Sequence, residues 1–322
     1  MRWIFWTSAG LLAYTYVGYM GWLRLRSRWR RIPVRSAPYT PSLSVVMVVR
    51  NEEKVLDAKL QNLLAVDYPE ELFEIVVVSD GSSDGTGEIL SHYAGNARVR
   101  VLMNSTSRGK AAGLNDGINT ARGDLIVFTD ARQMIEPGAF RALAENFADS
   151  TVGCASGELM LGDPEAGESA SGLGLYWRIE KAIREAESSS GSVVGATGAI
   201  YAVRRNLLVA VPAGTILDDV FIPMHVAKQG GRVVFNSRAR AWDLPHLGND
   251  KEFWRKVRTL SGNYQLVQLA PWLLTRVNPI RFEFVSHKLL RLAAPLALTA
   301  MLIALLALAL PLWAAALIVA VV

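Results

Sequence analysis

Short runs of β-branched and other apolar residues recur along the first part of the chain, and each one stops at polar residues. They occupy residues 42–50, 75–78, 99–103 and 125–130. Runs of this length without polar alternation are typical of strands buried on both faces of a parallel sheet. Stretches with helical spacing separate them, at 54–64, at about 87–94 and from 108–115 onward. We therefore predict an α/β fold with a mainly parallel sheet, flanking helices and right-handed crossovers.

The regular alternation weakens after Phe147. The pattern there predicts strands at 152–160, 193–203 and 232–236, and helices near 176–186, after 217–219 and over 251–269. A segment rich in Gly, Ser and Glu surrounds the first of these helices, from residue 157 to residue 192. No repeat with a period of 20–50 residues is visible. A chain of 322 residues can hold one large α/β domain or two modest ones.

The hydrophobic excess is concentrated at the two ends of the chain. Residues 3–23 carry no charge over 21 positions, enough to cross a hydrocarbon core of about 30 Å. This apolar core is too long for a cleaved signal peptide, and we expect a retained anchor. Residues 292–322 carry no charge over 31 positions, and Pro311 is expected to divide them into one span and the start of another. Because the chain ends inside this run, we expect the C-terminal membrane region to be incomplete.

Basic residues flank both apolar segments on the inner side. They are Arg24, Arg26, Arg28, Arg30, Arg31 and Arg35 after the first, and Lys288 and Arg291 before the second. The positive-inside rule places these flanks, and everything between them, in the cytoplasm of an integral protein of the cell (inner) membrane. The predicted division is a transmembrane anchor at 1–24, a basic linker at 25–40, the α/β domain at 41–270, an interfacial helix region at 271–291 and a transmembrane region at 292–322.

The net charge and the cysteine content limit the binding partners and the kinds of site that we expect. The formal net charge of +5 comes largely from the flanking arginines. It therefore indicates contact with anionic membrane lipids and not a nucleic-acid surface. The single cysteine, Cys154, excludes an internal disulfide and a cysteine-based metal cage, and we expect it in the core.

Carboxylates lie where several predicted elements end or begin. They are Asp80 with Asp84, Asp130, and Asp218 with Asp219. Ligands of open α/β sheets bind outside the carboxyl ends of the strands, so a ligand is expected here. Taken singly, each carboxylate could equally be a solvated or turn-capping charge. Neither Gly-x-Gly-x-x-Gly nor a P-loop motif is present, which argues against dinucleotide and P-loop sites.

The carboxylates and their basic neighbours indicate transfer from a phosphorylated donor. Carboxylates with few histidines suit a hard cation, Mg²⁺ or Mn²⁺, which bridges substrate phosphates. Lys110, Arg255 and Arg258 could offset the charge of a diphosphate leaving group, and Asp219 could act as a general base. His246 is a further candidate ligand, although a lone histidine in a loop is more often polar surface.

Six short motifs follow one another between residues 41 and 269. They are 51–53 (Asn-Glu-Glu), 77–86 (Val-Val-Ser-Asp-Gly-Ser-Ser-Asp-Gly-Thr), 108–115 (Arg-Gly-Lys-Ala-Ala-Gly-Leu-Asn), 128–132 (Phe-Thr-Asp-Ala-Arg), 195–201 (Gly-Ala-Thr-Gly-Ala-Ile-Tyr) and 217–219 (Leu-Asp-Asp). In order and spacing they resemble the motifs of family 2 glycosyltransferases, most strongly the membrane-bound, polysaccharide-synthase-like branch. The resemblance implies one GT-A-type (Rossmann-like) domain, a nucleotide-sugar donor, a divalent cation, and an inverting transfer to a glycan or lipid-linked acceptor.

The resemblance also implies roles for single residues on the donor side. Asp80 matches the aspartate that reads the nucleotide base, with Asn51 and Glu52 lining the same pocket. A carboxylate accepts the imide N–H of uracil, which favours a UDP-sugar. Lys110 matches the basic residue near the diphosphate, and Asp130 the first aspartate of the Asp-x-Asp metal motif. Asp84 is expected to serve the turn.

On the catalytic side, Asp219 matches the base that deprotonates the acceptor hydroxyl. Arg255 and Arg258 fall where polymerising members carry Gln-x-x-Arg-Trp, so Arg258 would neutralise the departing diphosphate. The sequence departs from the family pattern in two places. Arg132 replaces the second metal aspartate and could take over part of the cation's role. Thr259 replaces a tryptophan that stacks on the acceptor sugar, which puts processive synthesis in doubt.

Two alternatives to glycan synthesis stay open at this point. The first is transfer of one sugar to a polyprenyl phosphate carrier. The second is a catalytically weak relative that binds nucleotide-sugar or lipid as a regulator, which the substitution at Arg132 would favour.

Overall fold

The computed structural model describes residues 1–162, 175–243 and 249–321. Their strands are β1 (Leu43–Val49), β2 (Phe73–Asp80), β3 (Val99–Asn104), β4 (Leu125–Phe128), β5 (Met134–Ile135), β6 (Val152–Leu161), β7 (Tyr201–Arg204) and β8 (Arg232–Asp243). Their α-helices are α1 (Arg2–Ala13), α2 (Tyr19–Trp29), α3 (Leu56–Leu64), α4 (Thr86–Tyr93), α5 (Lys110–Thr120), α6 (Ala139–Ala144), α7 (Leu175–Ser190), α8 (Asp218–Lys228), α9 (Asn249–Leu269), α10 (Arg281–Phe284) and α11 (Leu290–Val321).

The described strands form one mixed sheet in the order β3-β2-β1-β4-β7-β6-β8-β5. The first four strands pair in parallel, and β6 pairs in parallel with β8. Antiparallel pairing joins β7 to β4 and β6, and β5 to β8. Within this sheet β5 and β7 therefore run against the other six strands. The predicted α/β fold with a mainly parallel sheet is confirmed, and its two antiparallel strands were not predicted.

Apolar side chains cover both faces of the sheet, as the unbroken apolar runs predict. Along β1, Val45 and Met47 join the core that contains α3 and α6, whereas Val46 joins the core under α5 and α8. The sheet is thus the middle layer of three. This leaves the carboxyl ends of β1, β2 and β4, with the loops that follow them, as the edge that carries the candidate site.

The second half of the chain differs from the prediction in three elements. The strand expected at 193–203 is only Tyr201–Arg204, because the preceding residues form a loop in which Gly195 has φ +81°. The strand expected at 232–236 extends to Asp243. The interfacial region is a 3₁₀ turn (Pro271–Leu274), then α10 and a π-helical turn (Val285–Leu289), and not one amphipathic helix. The side chain of Asn278 joins the first turn to α10, because it donates to the Leu273 carbonyl at 2.8 Å and accepts the Ile280 N–H at 3.1 Å.

The two apolar ends are both helical and pack against each other through α1 and α11. The α11 helix continues through Pro311, so the expected break there is wrong. Proline is tolerated in apolar helices when neighbouring groups satisfy the freed carbonyl. Among the described residues, only Arg281–Ala309 is a helix long and apolar enough to cross a membrane, and 17% of its most apolar window is buried. The N-terminal anchor at 1–24 therefore stays a prediction.

A buried polar cluster, here called the helix clamp, joins both ends to the α/β domain. It consists of Tyr19, Glu180, Glu187 and His287. The Tyr19 hydroxyl donates to Glu187 at 2.6 Å, and the two His287 ring nitrogens lie 2.9 Å from oxygens of Glu187 and Glu180. Arg291 donates to the other oxygen of Glu180 at 2.7 Å. Because buried carboxylates need such partners, the clamp specifies where α7 meets the terminal helices.

Helix α5 lies unusually close to the sheet because glycines face it. A Cβ on Gly117 would lie 2.5 Å from Val46 Cγ1, and one on Gly113 would lie 2.7 Å from Val48 Cγ1. Close packing brings the first residue of α5, Lys110, over the carboxyl ends of β1 and β2.

We predict that Gly117→Ala lowers stability. Overpacking a filled contact costs about 1–3 kcal/mol, which exceeds the roughly 1 kcal/mol that alanine gains over glycine in a helix. The thermal unfolding midpoint of the purified protein in detergent measures the change. Gly95→Ala is the control, because a Cβ there meets nothing within 4 Å. Equal midpoints for the two variants would contradict the close approach of α5.

Candidate functional site

A cavity of about 610 Å³ opens at the carboxyl ends of β1, β2 and β4. It is lined by Val48, Val49, Arg50, Glu52, Asp80, Gly109, Lys110, Asp130, Ala131, Arg132 and Arg258. Six of these are residues that the sequence singled out, namely Glu52, Asp80, Lys110, Asp130, Arg132 and Arg258. Residues far apart in the chain thus meet at one edge of the sheet, as strand-end carboxylates in an open α/β sheet should.

Asp80 is buried at the end of β2 and held as an anion. One carboxylate oxygen accepts the Arg108 N–H at 2.7 Å, and the other accepts the Ser107 hydroxyl at 2.8 Å and the Gly109 N–H at 2.9 Å. Burial works to raise the pKa of Asp80, but these donors outweigh it and hold the pKa below its usual range. A carboxylate has about four acceptor positions. Three are filled by these described residues, which leaves room for one N–H of a ligand.

The turn after Asp80 requires a glycine. Gly81 has φ +64°, and a Cβ on it would lie 2.4 Å from the Ser107 nitrogen. This contact brings the backbone of 107–109 against the end of β2, where its N–H groups reach Asp80. The glycine therefore creates the geometry that keeps Asp80 ionised.

Asn51 and Asp84 stabilise the neighbouring turn and are not among the described residues that line the cavity. Asn51 has φ +56°, and its side-chain oxygen accepts the Ser83 N–H at 2.8 Å. Asp84 accepts the Thr86 N–H at 3.0 Å and the Glu53 N–H at 3.2 Å. The predicted turn role of Asp84 is confirmed, whereas a donor contact by Asn51 stays a prediction.

Lys110 links two of the carboxylate sites. Its ammonium lies 3.0 Å from an oxygen of Asp130 and 3.2 Å from an oxygen of Asp218. Burial opposes the charge of Lys110, but Asp130 and Asp218 together raise its pKa above the usual range. The lysine thus carries a full positive charge at the edge of the cavity.

Asp218 and Asp219 open helix α8 next to this lysine. Burial raises the pKa of Asp218, with Lys110 opposing the shift. Burial and the adjacent Asp218 charge raise the pKa of Asp219 to about 6, again against the pull of Lys110. A carboxylate with this pKa is deprotonated at neutral pH and is a stronger base than an ordinary aspartate, which suits general base catalysis.

The loop 195–198 separates the Asp130 and Asp219 carboxylates. It is fastened to α8 by the Ala196 N–H, which donates to the Asp219 carbonyl at 2.7 Å. A Cβ on Gly198 would lie 3.5 Å from Asp219 Oδ2 and 3.6 Å from Asp130 Oδ2. Both carboxylate oxygens therefore lie near Gly198, and the absence of a side chain there leaves room beside them.

The carboxylates here fit a cation that is held mainly by its substrate. Among the described residues, no group of three or more His, Cys, Asp or Glu side chains is arranged to hold a metal. Asp130 can offer its Oδ2 atom, since Oδ1 engages Lys110. Mg²⁺ commonly binds through one or two carboxylates together with phosphates and water, so this sparse set is compatible with it. His246 and the side chain of Arg255 lie outside the described residues, and their predicted roles stay predictions.

Two buried residues at the site were missed by the sequence reasoning. Lys59 is fully buried in α3, and burial lowers its pKa to about 7 against the pull of Asp130. Its place between Leu56 and Leu63, on the apolar side of the helix, was the signal that could have revealed it. Tyr201 stacks on Phe128 with ring centroids 4.8 Å apart. Nothing in the sequence distinguishes it from an ordinary aromatic residue of a strand.

A second cavity, of about 280 Å³, reaches the loop 195–198 at Thr197. The other described residues that line it are Glu158, Leu159, Met160, Trp177, Arg178, Glu180, Lys181, Arg184 and Phe235. The lining combines apolar side chains with three basic ones, and Lys181 pairs with Glu158 at 2.9 Å. Because Glu180 also belongs to the helix clamp, this cavity lies between the loop 195–198 and the base of the terminal helices.

Comparison with known proteins gives a consistent set of relatives. Residues 44–210 match the family described as Glycosyl transferase family 2. The chain is 26% identical over 237 residues to the poly-beta-1,6-N-acetyl-D-glucosamine synthase of Staphylococcus aureus (strain COL), covering 70% of this chain and 55% of that protein. The corresponding Staphylococcus epidermidis synthase is 25% identical over 239 residues, covering 71% of this chain and 56% of the synthase. The chain thus spans about half the length of the curated relatives it matches.

Solved structures share the fold. The mannosyltransferase PcManGT from Pyrobaculum calidifontis, solved with GDP-Man and Mn²⁺, superposes with a TM-score of 0.77 at 23% identity. The superposition covers 99% of this chain and 92% of PcManGT. TarS 1–349 from S. aureus, solved with UDP, has a TM-score of 0.53 at 17% identity, over 73% of this chain and 66% of TarS. The mixed sheet and its flanking helices are therefore of the GT-A type, and the chain belongs to glycosyltransferase family 2.

Proposed function

We propose that this enzyme is a membrane-anchored, inverting glycosyltransferase that moves a sugar from a nucleoside diphosphate donor to an acceptor at the membrane. One observation carries the proposal. A single cavity collects Asp80, Lys110 and Asp130, and the Asp130 and Asp219 carboxylates both lie within 3.6 Å of the position a Cβ on Gly198 would take. The arrangement offers an acceptor for the nucleotide base, a positive charge for the diphosphate and a partly buried carboxylate for the attacking hydroxyl.

On the donor side, Asp80 accepts an N–H from the nucleotide base, with Glu52 beside it. Its ionised state favours a base with an imide N–H, and uracil has one. TarS was solved with UDP and with UDP-GlcNAc, which supports a UDP-sugar. Guanine also presents an N–H donor, and PcManGT was solved with GDP-Man, so GDP-mannose is the second candidate donor.

The basic residues Lys110, Arg258 and Arg255 would neutralise the charge that develops on the diphosphate leaving group. Asp130 would hold Mg²⁺ or Mn²⁺, which would supply further positive charge to the leaving group. Arg132 would contribute positive charge where the family has a second aspartate. The Mn²⁺ in the PcManGT structure supports a divalent cation.

Asp219 is the base in this reaction. It removes the proton from the acceptor hydroxyl as the oxygen attacks the anomeric carbon and the bond to the diphosphate breaks. In an inverting displacement the acceptor approaches opposite the leaving group. The cavity that reaches the loop 195–198 at Thr197, apart from the one lined by Lys110 and Asp130, supports separate approaches of acceptor and donor.

The second cavity is the proposed acceptor side. The relatives named as poly-beta-1,6-N-acetyl-D-glucosamine synthases support a glycan acceptor. The apolar side chains of this cavity and its position at the base of α11 favour instead a lipid carrier, although two of its three basic residues pair with Glu158 and Glu180. The length of the product separates the two, since a lipid phosphate accepts one sugar.

We also propose that α11 and the N-terminal helices anchor the enzyme in the cell (inner) membrane with the α/β domain in the cytoplasm. The largely unburied apolar surface of Arg281–Ala309 supports a span. The arginines after α1 and the basic residues before α11 support the orientation, and they suit contact with anionic lipids.

We predict that purified protein in detergent transfers radiolabel from one of a panel of nucleotide-sugars to membrane extract. Asp219→Asn should lower the rate about 10²–10⁴-fold, the usual contribution of a general base. Its binding of the matching nucleoside diphosphate, measured by calorimetry, should not change. The wild-type rate should fall as the pH drops below about 6, because Asp219 then takes up a proton. Undiminished transfer by Asp219→Asn would refute the assignment of the base.

We predict that Asp130→Ala weakens donor binding in Mn²⁺ or Mg²⁺ by at least about tenfold, as expected for lost metal affinity. Calorimetric titration with the nucleoside diphosphate, with and without the cation, measures the effect. Glu71→Ala, which removes an exposed carboxylate outside the cavity, is the control. If a chelator leaves wild-type transfer unchanged, the metal role is wrong and Arg132 becomes the candidate for it.

We predict that Gly198→Ala folds normally and transfers poorly. The new methyl group would fit without a clash, 3.5–3.6 Å from the Asp219 and Asp130 oxygens, but it would occupy the space between them. A displacement of reacting groups by about 1 Å can cost 100-fold in rate. Gly138→Ala, where a Cβ meets nothing within 4 Å, is the control. Equal rates for these two variants would show that no reacting group uses this space.

A further inference from the structure

A lysine with no access to solvent lies beneath the loop that carries Asp130. Lys59 of α3 is fully buried and sits in the apolar layer formed with Leu56, Leu60 and Leu63. Its ammonium donates to the Thr129 hydroxyl at 2.9 Å and to the Gln133 carbonyl. These two residues are the first and last of the segment 129–133, which connects β4 to β5. The ammonium therefore fastens both ends of the segment that carries Asp130 and Arg132.

The Thr129 hydroxyl extends this connection to the other side of the site. It accepts from Lys59 and donates to the Ala199 carbonyl at 2.8 Å. Ala199 follows Gly198, the residue that separates the Asp130 and Asp219 carboxylates. The loop 195–198 is in turn bonded to Asp219 through the Ala196 N–H. The buried Lys59 amine is thus connected, through a single hydroxyl, to the segment that carries Asp130 and to the loop that is bonded to Asp219.

The buried amine of Lys59 costs free energy unless hydrogen bonds compensate it. Methionine would fill the same volume at the apolar face of α3 without that cost. Lys59 is absent from the described lining of the cavity, so it does not contact a donor held there. What the ammonium offers beyond volume is directional bonding to a segment whose carbonyl and hydroxyl groups point away from the solvent.

We propose that Lys59 is a positioning residue that sets the orientation of Asp130 and its separation from Asp219. This inference rests on the proposed function, since it assigns to Lys59 the alignment of the cation ligand with the base. With Arg132 in place of a second metal carboxylate, Asp130 is the one acidic metal ligand of the motif. Its orientation must therefore come from hydrogen bonds of the protein. Lys110 donates to the carboxylate itself, and Lys59 holds both ends of the segment that carries it.

The test compares Lys59→Met with the wild type in the full-length protein in detergent. Binding of Mn²⁺ to protein saturated with UDP or GDP is measured by calorimetry, and kcat and the donor KM are measured at saturating Mn²⁺. Loss of an outer partner of a metal ligand typically costs 10–100-fold in metal affinity or activity. We expect Lys59→Met to lose Mn²⁺ affinity and kcat by such factors while the donor KM at saturating Mn²⁺ stays near the wild-type value.

Two further comparisons separate positioning from folding. Leu60→Met alters the neighbouring core residue and should leave Mn²⁺ affinity unchanged. Thr129→Val removes the hydroxyl that joins the two loops, whereas Thr129→Ser keeps it. Thr129→Val should lower kcat at least about tenfold relative to Thr129→Ser. Lys59→Met and Thr129→Val break the same chain of hydrogen bonds. The kcat of the double variant should therefore be no lower than that of Lys59→Met alone.

The outcomes are distinct. If the wild type binds Mn²⁺ with the nucleotide and Lys59→Met binds it equally well with an unchanged kcat, this inference is overturned and the proposed function stands. If Lys59→Met does not fold, the Thr129 pair decides, and equal activity of the two overturns the inference. A wild type that binds neither Mn²⁺ nor nucleotide overturns the proposed function and this inference together.

Discussion

The structure depends on balancing several carboxylates that converge at one edge of the sheet. Asp130, Asp218 and Asp219 come from the end of β4 and the start of α8, and their charges repel one another at close range. Lys110 offsets this repulsion by contacting Asp130 and Asp218 together. The position of Lys110 follows in turn from the glycines that let α5 lie against β1. The packing of α5 against the sheet and the charge balance at the site therefore depend on each other.

The same balance explains why neighbouring aspartates differ in pKa. Asp80 receives three donors from the 107–109 segment, which hold its pKa below the usual range in spite of burial. Asp219 is also buried, yet the adjacent Asp218 charge adds to the effect of burial, and its pKa rises to about 6. Local hydrogen bonding thus keeps the pKa of Asp80 low, and local repulsion raises the pKa of Asp219 toward neutrality.

The sequence predicts the first half of the fold well and the second half less well. Strands β1 to β4 and helices α3 to α5 lie within a few residues of the predicted ranges, because each strand is an unbroken apolar run that ends at a turn. Six of the predicted site residues line one cavity for the same reason, since strand ends converge. The loop 195–198 was predicted as strand because its small residues read as apolar. The positive φ of Gly195 and the bond from the Ala196 N–H to Asp219 of α8 bend this loop. Both depend on contacts with residues distant in the sequence.

Side-chain connections were harder to predict than positions. Asn51 was expected in the donor pocket, but its oxygen accepts a backbone N–H of the facing turn, a contact that exists only once β1 and β2 are paired. Lys59 lies in the helix predicted at 54–64 and was not singled out there. Its burial becomes visible only when the segment 129–133 brings a hydroxyl and a carbonyl over it. Sequence patterns record which side of an element is apolar, and they do not record which polar group lies beneath another.

The arginine at position 132 changes what the protein must do for its cation. On the proposed function, Asp130 supplies one acidic ligand, and one of its oxygens is already engaged by Lys110. A cation held by one carboxylate oxygen binds weakly until phosphate oxygens complete its shell. Metal and donor would then bind together. Before they bind, hydrogen bonds of the protein, and not the metal, hold the site residues in position. The hydrogen bonds of Lys59 to the ends of the segment 129–133 and the contact of Lys110 with Asp130 hold the site in place.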